Sequence, residues 1–195
     1  MSDTRLRLSQ GPPICGRRWT ADVDDVDRRV LARAQAAVLD VGCGPGRHVR
    51  SLAERGAIAM GIDVTPSAIA AARKRGADVL CRDVFDRVPG SGRWRTALLL
   101  DGNIGIGGRP TQLLARVRQL LIPGGRILVE HGPAGSGGVD TTAWLDIDGH
   151  PGPRFAWVTV GADEIVGLAK KANLAFVDAW RDGNRWFSTL ERPRT

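Results

Sequence analysis

Gly42, Gly44 and Gly46 alternate with Cys43 and Pro45 directly after the run Val38-Leu39-Asp40-Val41, and a helical pattern begins at once behind them. A strand, a tight turn and a helix start in that order let a ligand lie on bare backbone, where a side chain would fill the space. The first helical turn adds unpaired N–H groups. The spacing is G-x-G-x-G, not the G-x-G-x-x-G of the dinucleotide fingerprint, which favours a nucleotide-like ligand over a pyrophosphate. Asp63 follows roughly 20 residues later, the offset at which an acid accepts from ribose hydroxyls. Asp83 and Val84 have the groups to read an adenine, the carboxylate accepting from the exocyclic amine and a backbone N–H donating to a ring nitrogen. Ile62, Val64 and Phe85 supply apolar walls.

These residues need a scaffold that brings strand ends together. Apolar runs predict strands over residues 37–41, 58–63, 78–82, 95–100 and 126–130, then near 155–160, 174–180 and 185–191. Helical spacing predicts helices over residues 22–36 (capped by Thr20 or Asp22), 46–55, 66–75, 110–121 and 162–172. The link from Val84 to Trp94 is too short and too rich in Gly and Pro for a full helix. Alternating strands and helices imply a parallel sheet covered on both faces, and Asp182-Gly183-Asn184 predicts a closing hairpin. In such sheets ligands bind outside the carboxyl ends of the strands. Asp40, Asp63, Asp83, Asp101-Gly102-Asn103 and Glu130-His131 all stand at those ends.

The chain has 195 residues, 43% hydrophobic and 25% charged, a length and composition that suit one globular domain. No apolar run reaches the ~20 residues of a membrane span, and Met1–Gln10 lacks the apolar core of a secretory signal. Three cysteines share no metal-ligand spacing, so no metal site is expected and a reducing, cytoplasmic setting is. The net charge of +7 comes from scattered arginines, with Lys74, Lys170 and Lys171 the only lysines. Scatter of this kind argues against a nucleic-acid partner.

Asp40-Val41-Gly42-Cys43-Gly44-Pro45-Gly46 resembles the first motif of the class I S-adenosylmethionine-dependent methyltransferases. Gly61 to Pro66 resembles their second motif and Arg82-Asp83-Val84 their third; Asp101-Gly102-Asn103 stands where the fourth begins, and Leu121 to Arg126 resembles the turn before the fifth strand. The resemblance covers residues 35–130 and implies a Rossmann-like α/β three-layer sandwich. Its sheet would have seven mostly parallel strands in the order 3-2-1-4-5-7-6, the last antiparallel. It implies S-adenosyl-L-methionine as cofactor, bound by Asp40, Gly42, Cys43, Gly44, Gly46, Asp63, Val64, Asp83, Val84, Asp101, Gly102 and Asn103. Asp40 would lie near the amino group, Asp63 on the ribose, Asp83 on the adenine amine, and residues 101–103 at the methyl end. Asp101 to Gly108 lacks the Asn-Pro-Pro-aromatic signature of amino-group methylation on bases or glutamine.

The expected activity is methyl transfer to oxygen, nitrogen or carbon of a small molecule by a monomer or homodimer. RNA or protein methylation and NAD-dependent oxidoreduction are the alternatives. His131 is the first candidate base, with Glu130 as a second base or its orienting partner; alternation along a strand points the two apart. His48 reads as a packing or helix-surface residue, His150 as a loop residue, Cys43 as turn filling and Cys81 as core. Residues 1–20 read as an irregular arm or lid and residues 131–153 as a substrate-side insertion. Trp19, Trp144 and Trp157 fall in or near these segments, where an aromatic acceptor pocket would form; core packing is the alternative for Trp157, as for Trp180 and Trp186.

Overall fold

A computed structural model describes residues 4–9, 21–147 and 150–194. Its main sheet contains β2 (Val38–Val41), β3 (Ala59–Asp63), β4 (Val79–Cys81), β5 (Trp94–Leu99), β6 (Leu121–His131), β9 (Ala175–Asp182) and β10 (Arg185–Glu191). Their order is β4-β3-β2-β5-β6-β10-β9. The first five run parallel, whereas β10 is antiparallel to both β6 and β9. Counting only these strands, the order is the expected 3-2-1-4-5-7-6. Five helices accompany the sheet among the described residues: α1 (Asp25–Leu31), α2 (Arg47–Glu54), α3 (Pro66–Lys74), α4 (Pro110–Leu120) and α5 (Ile165–Lys171).

Strand alternation divides the interior in two. Leu39, Val41, Ala97, Leu99, Ile127 and Val129 face the layer of α4 and α5, where Leu113, Leu114, Val117 and Ile165 are buried. Val38, Leu98, Leu100, Leu128 and Phe187 face the other layer, with Val30, Leu31, Val49, Leu52 and Ile69. The side-chain period of two therefore decides which layer each polar residue on these strands enters.

Two segments differ from expectation. Thr4–Leu8, within the expected irregular arm, forms β1, and residues 10–20, with Trp19, lie outside the described residues. The expected insertion, residues 131–153, holds β7 (Asp140–Ile147) and the start of β8 (His150–Val158), which pair antiparallel, and β1 adds to β7 as a third strand. Thr141, Thr142 and Ala143 are ordinary strand residues, and the glycines nearby obscure them in the sequence. α1 is shorter than expected and starts from Asp24, whose carboxylate accepts the Asp27 N–H at 2.7 Å in a reciprocal capping box. No helix among the described residues is long and apolar enough to cross a membrane.

Candidate functional site

The glycine turn after β2 and the chain leaving β3, β4 and β5 surround a hollow of about 250 Å³. Gly42, Cys43 and Gly44 line it, with Asp63, Val64, Asp83, Val84, Asp101 and Asn103, all of them among the expected binding residues. Ile62 and Phe85 add the expected apolar walls. Ile106, Phe155 and Trp157 line it too, and of these only Trp157 had been singled out in the sequence.

Gly44 shows why the turn needs glycine. Its φ is +51°, and a Cβ built there meets nothing within 4 Å, so the position opens into the hollow. Asp63 fixes the turn from the neighbouring strand. Its carboxylate accepts the Gly44 N–H at 2.9 Å and the Thr65 N–H at 2.8 Å. Burial pushes this carboxyl up, against the two N–H donors that favour its charged form. The remaining lone pairs on its two oxygens suit a diol. Asp83 accepts the Phe85 N–H at 2.9 Å, which shapes the loop after β4. Asn103 donates to the Val41 and Gly42 carbonyls at 2.8 and 3.0 Å and so ties the segment after β5 to the glycine turn. Open backbone, a diol acceptor and apolar walls together fit an adenosyl group.

Three expected binding residues do not reach the hollow. Asp40 shares the strand face of Val38, so its side chain points under α2 and pairs with His48 at 3.5 Å. Gly46 serves packing: with φ at +78°, its Cβ would come within 2.9 Å of the Ala72 and Ala77 methyls. Gly102 has its backbone against the Trp157 indole, in an adjoining cleft.

Both candidate bases also lie outside the lining of the hollow. Glu130 and His131 do point to opposite faces of β6. Glu130 is clamped by Arg185 at 2.7 and 2.6 Å and accepts the Asp101 backbone N–H at 2.8 Å. His131 lies in the adjoining cleft, its Nε2 2.9 Å from Ser188 Oγ and its Nδ1 2.9 Å from the Gly132 carbonyl. Burial lowers its pKa. Cys43 is the expected turn filler: burial pushes its thiol up. Cys81 is exposed at the end of β4 rather than core. The side chain of His150, which opens β8, is outside the description.

Beneath the hollow, charged side chains close a ring. Arg47 grips Asp101 through both terminal guanidinium nitrogens at 2.8 and 2.9 Å and reaches Asp27 through Nε at 3.3 Å. Asp27 accepts from Arg185 at 2.7 Å, and Arg185 returns through Glu130 to Asp101. Burial works against the charge on Asp27, yet His48 and Arg47 outweigh it and hold the carboxyl far below its ordinary range. His48 lies between Asp27 and Asp40 at 3.6 and 3.5 Å. Burial and Arg47 oppose its protonation, but the two carboxylates prevail and its pKa is pushed up to about 9. Asp27 had a sequence signal: it shares the buried face of α1 with Val30 and Leu31.

Residues 38–125 match the family described as a methyltransferase domain. A trans-aconitate 2-methyltransferase of Rhodococcus jostii is 46% identical over 63 residues, covering 31% of this chain and 25% of that protein. The enzyme of the same name from Mycolicibacterium gilvum is 40% identical over 67 residues, covering 33% and 26%. The match thus spans about a quarter of the length of these relatives. Among solved structures, an S-adenosylmethionine-dependent methyltransferase from Bacteroides fragilis in complex with S-adenosyl-L-homocysteine superimposes with a TM-score of 0.81 at 22% identity, over 97% of this chain and 87% of that one. The 1,6-didemethyltoxoflavin-N1-methyltransferase of Burkholderia thailandensis gives 0.65 at 18% identity, over 97% and 96%. At these identities the likeness is one of fold.

Proposed function

We propose, for a chain whose residues 38–125 belong to the class I S-adenosylmethionine-dependent methyltransferase family, that it transfers a methyl group from S-adenosyl-L-methionine to a small molecule. The observation that carries this reading is the open backbone at Gly44, bonded to the carboxylate of Asp63. Gly42 to Gly44 would support the amino-acid end of the cofactor, Asp63 the ribose, and Asp83 with Val84 the adenine. When bound, the cofactor supplies an activated methyl group. The protein's share is to hold the acceptor in line and exclude water, and positioning of this kind accounts for roughly 7–11 kcal/mol of a barrier.

Neither candidate base reaches the hollow, which favours a mechanism that rests on positioning. Asp101 and Asn103 border the acceptor end. Asp101 is fixed by Arg47, Asn103 by two carbonyls, so both shape the site rather than move protons.

Incubation with methyl-labelled S-adenosylmethionine and a panel of small acceptors tests the reading. Label transfer to a small molecule is expected. Binding of NAD without binding of S-adenosylmethionine would overturn it.

A further inference from the structure

The hollow is lined by acids at the strand ends and by a group of apolar and aromatic side chains. Asp63 and Asp83 lie at the ends of β3 and β4, two and three strands from β5, which is about 10 and 14 Å at ordinary strand spacing. Past the end of β5 the lining is Ile106, Phe155 and Trp157, and Gly107 beside them packs against the Phe85 ring. Ile106 pairs with Trp157 as an isolated β-bridge, so β8 delivers its aromatic residues directly to the segment after β5.

These rings are held in place. Phe155 and Trp157 meet edge to face, centroids 6.1 Å apart and planes at 64°. The Trp157 indole rests on backbone: a Cβ at Gly105 would lie 3.0 Å from its Cε2, and one at Gly102 3.5 Å from its Cζ2. Trp157 itself is only 4% exposed. A wall fixed in this way loses little side-chain entropy when a second ring packs against it.

Two polar side chains among the described residues here have their charged or N–H groups engaged. Asp101 is gripped by Arg47, whose Nε is turned to Asp27. Asn103 spends its amide NH2 on two carbonyls.

We propose, resting on the methyltransferase reading above, that the acceptor is a planar aromatic or heteroaromatic molecule whose ring packs against Phe155 and Trp157. Its nucleophile is one that needs no base from the described residues: a ring nitrogen with a free lone pair, or an acidic phenol. That lone pair forms the new bond to the methyl carbon while the sulfur keeps the electrons of the bond that breaks. A phenol gives its proton to water. A polycarboxylate such as trans-aconitate, the acceptor in the relatives' names, is a poor match for this wall.

The test is calorimetric and does not depend on turnover. S-adenosyl-L-homocysteine is titrated first, and the saturated protein then receives quinoline, 1-naphthol or trans-aconitate. Quinoline or 1-naphthol is expected to bind at least tenfold more tightly than trans-aconitate. Phe155→Leu and Trp157→Leu, each first shown to fold by thermal melting, are expected to weaken the aromatic probes threefold or more. Equal or tighter binding of trans-aconitate, no binding of either aromatic probe, or no effect of Phe155→Leu would overturn the proposal and leave the methyltransferase reading standing. Failure of the first titration would remove that reading, and this proposal with it.

Discussion

Glu130 on β6 accepts the backbone N–H of Asp101 at 2.8 Å, just past the end of the neighbouring β5. Asp101 needs that support because its φ of +56° is a conformation side-chain-bearing residues seldom adopt. The bond fixes the chain as it enters the hollow. Arg185 and Arg47 then tie both acids to Asp27 on α1. The first described helix, β10 and the rim of the hollow thus share one set of charges.

Breaking that set from one side is expected to be costly. Arg185→Met leaves Glu130 and Asp27 buried without a shared partner, at a cost of about 3–5 kcal/mol. Replacing Glu130 and Arg185 together by Met removes the opposing charges as a pair and is expected to cost less than half as much. Urea unfolding of the three proteins checks this; equal losses in the single and double variants would contradict it.

Gly44 and Gly46 have separate tasks, and alanine at each is expected to separate them. Gly44→Ala places a methyl in the open hollow and strains one left-handed residue, so stability falls by only about 1–2 kcal/mol while cofactor affinity falls at least tenfold. Gly46→Ala drives its methyl into Ala72 and Ala77 and is expected to cost about 2–4 kcal/mol of stability. Thermal melts paired with S-adenosylhomocysteine titrations read both effects.

His48 gives the fold a pH dependence of definite sign. Its pKa in the folded chain is about 9 against an ordinary 6.5. The stabilisation, of the order of a few kcal/mol, is complete below pH 6.5 and lost as pH rises through 9. Melting temperature is expected to decline over that interval in the natural chain and to decline less in His48→Gln. Parallel curves for the two would show that the ion pairs to Asp27 and Asp40 do not carry the effect.

His131→Ala is expected to change cofactor affinity and methyl transfer less than threefold, because the imidazole faces Ser188 in the adjoining cleft. The lost hydrogen bond is expected to lower stability by about 1–2 kcal/mol. A hundredfold loss of transfer by a folded variant would return His131 to the reaction.

Much of this architecture was legible because its signals are local. The glycine turn, the apolar runs Ala97-Leu98-Leu99-Leu100 and Ile127-Leu128-Val129, and the closing turn at Gly183 each specify a neighbouring element. The residues that line the hollow, from Gly42 to Asn103, were legible as strand ends; Gly46 and Gly102 pack elsewhere, and the two-residue period sends Asp40 toward His48. The charged ring was not legible. Arg185 meets Glu130 and Asp27 across sequence separations of 55 and 158 residues, and no short pattern encodes such a pairing. The same holds for Phe155 and for β1, whose partner strand β7 lies about 140 residues away.

The proposed function requires that the turn at Gly44 and the carboxylate of Asp63 together hold an adenosyl group. Isothermal titration of S-adenosylhomocysteine into the natural chain and into Asp63→Ala tests it most directly. A saturable one-site isotherm is expected for the natural chain, with binding weaker by about 1.5–3 kcal/mol in the variant, roughly ten- to a hundredfold. No heat from the natural chain, or equal affinity in a folded Asp63→Ala, would contradict it.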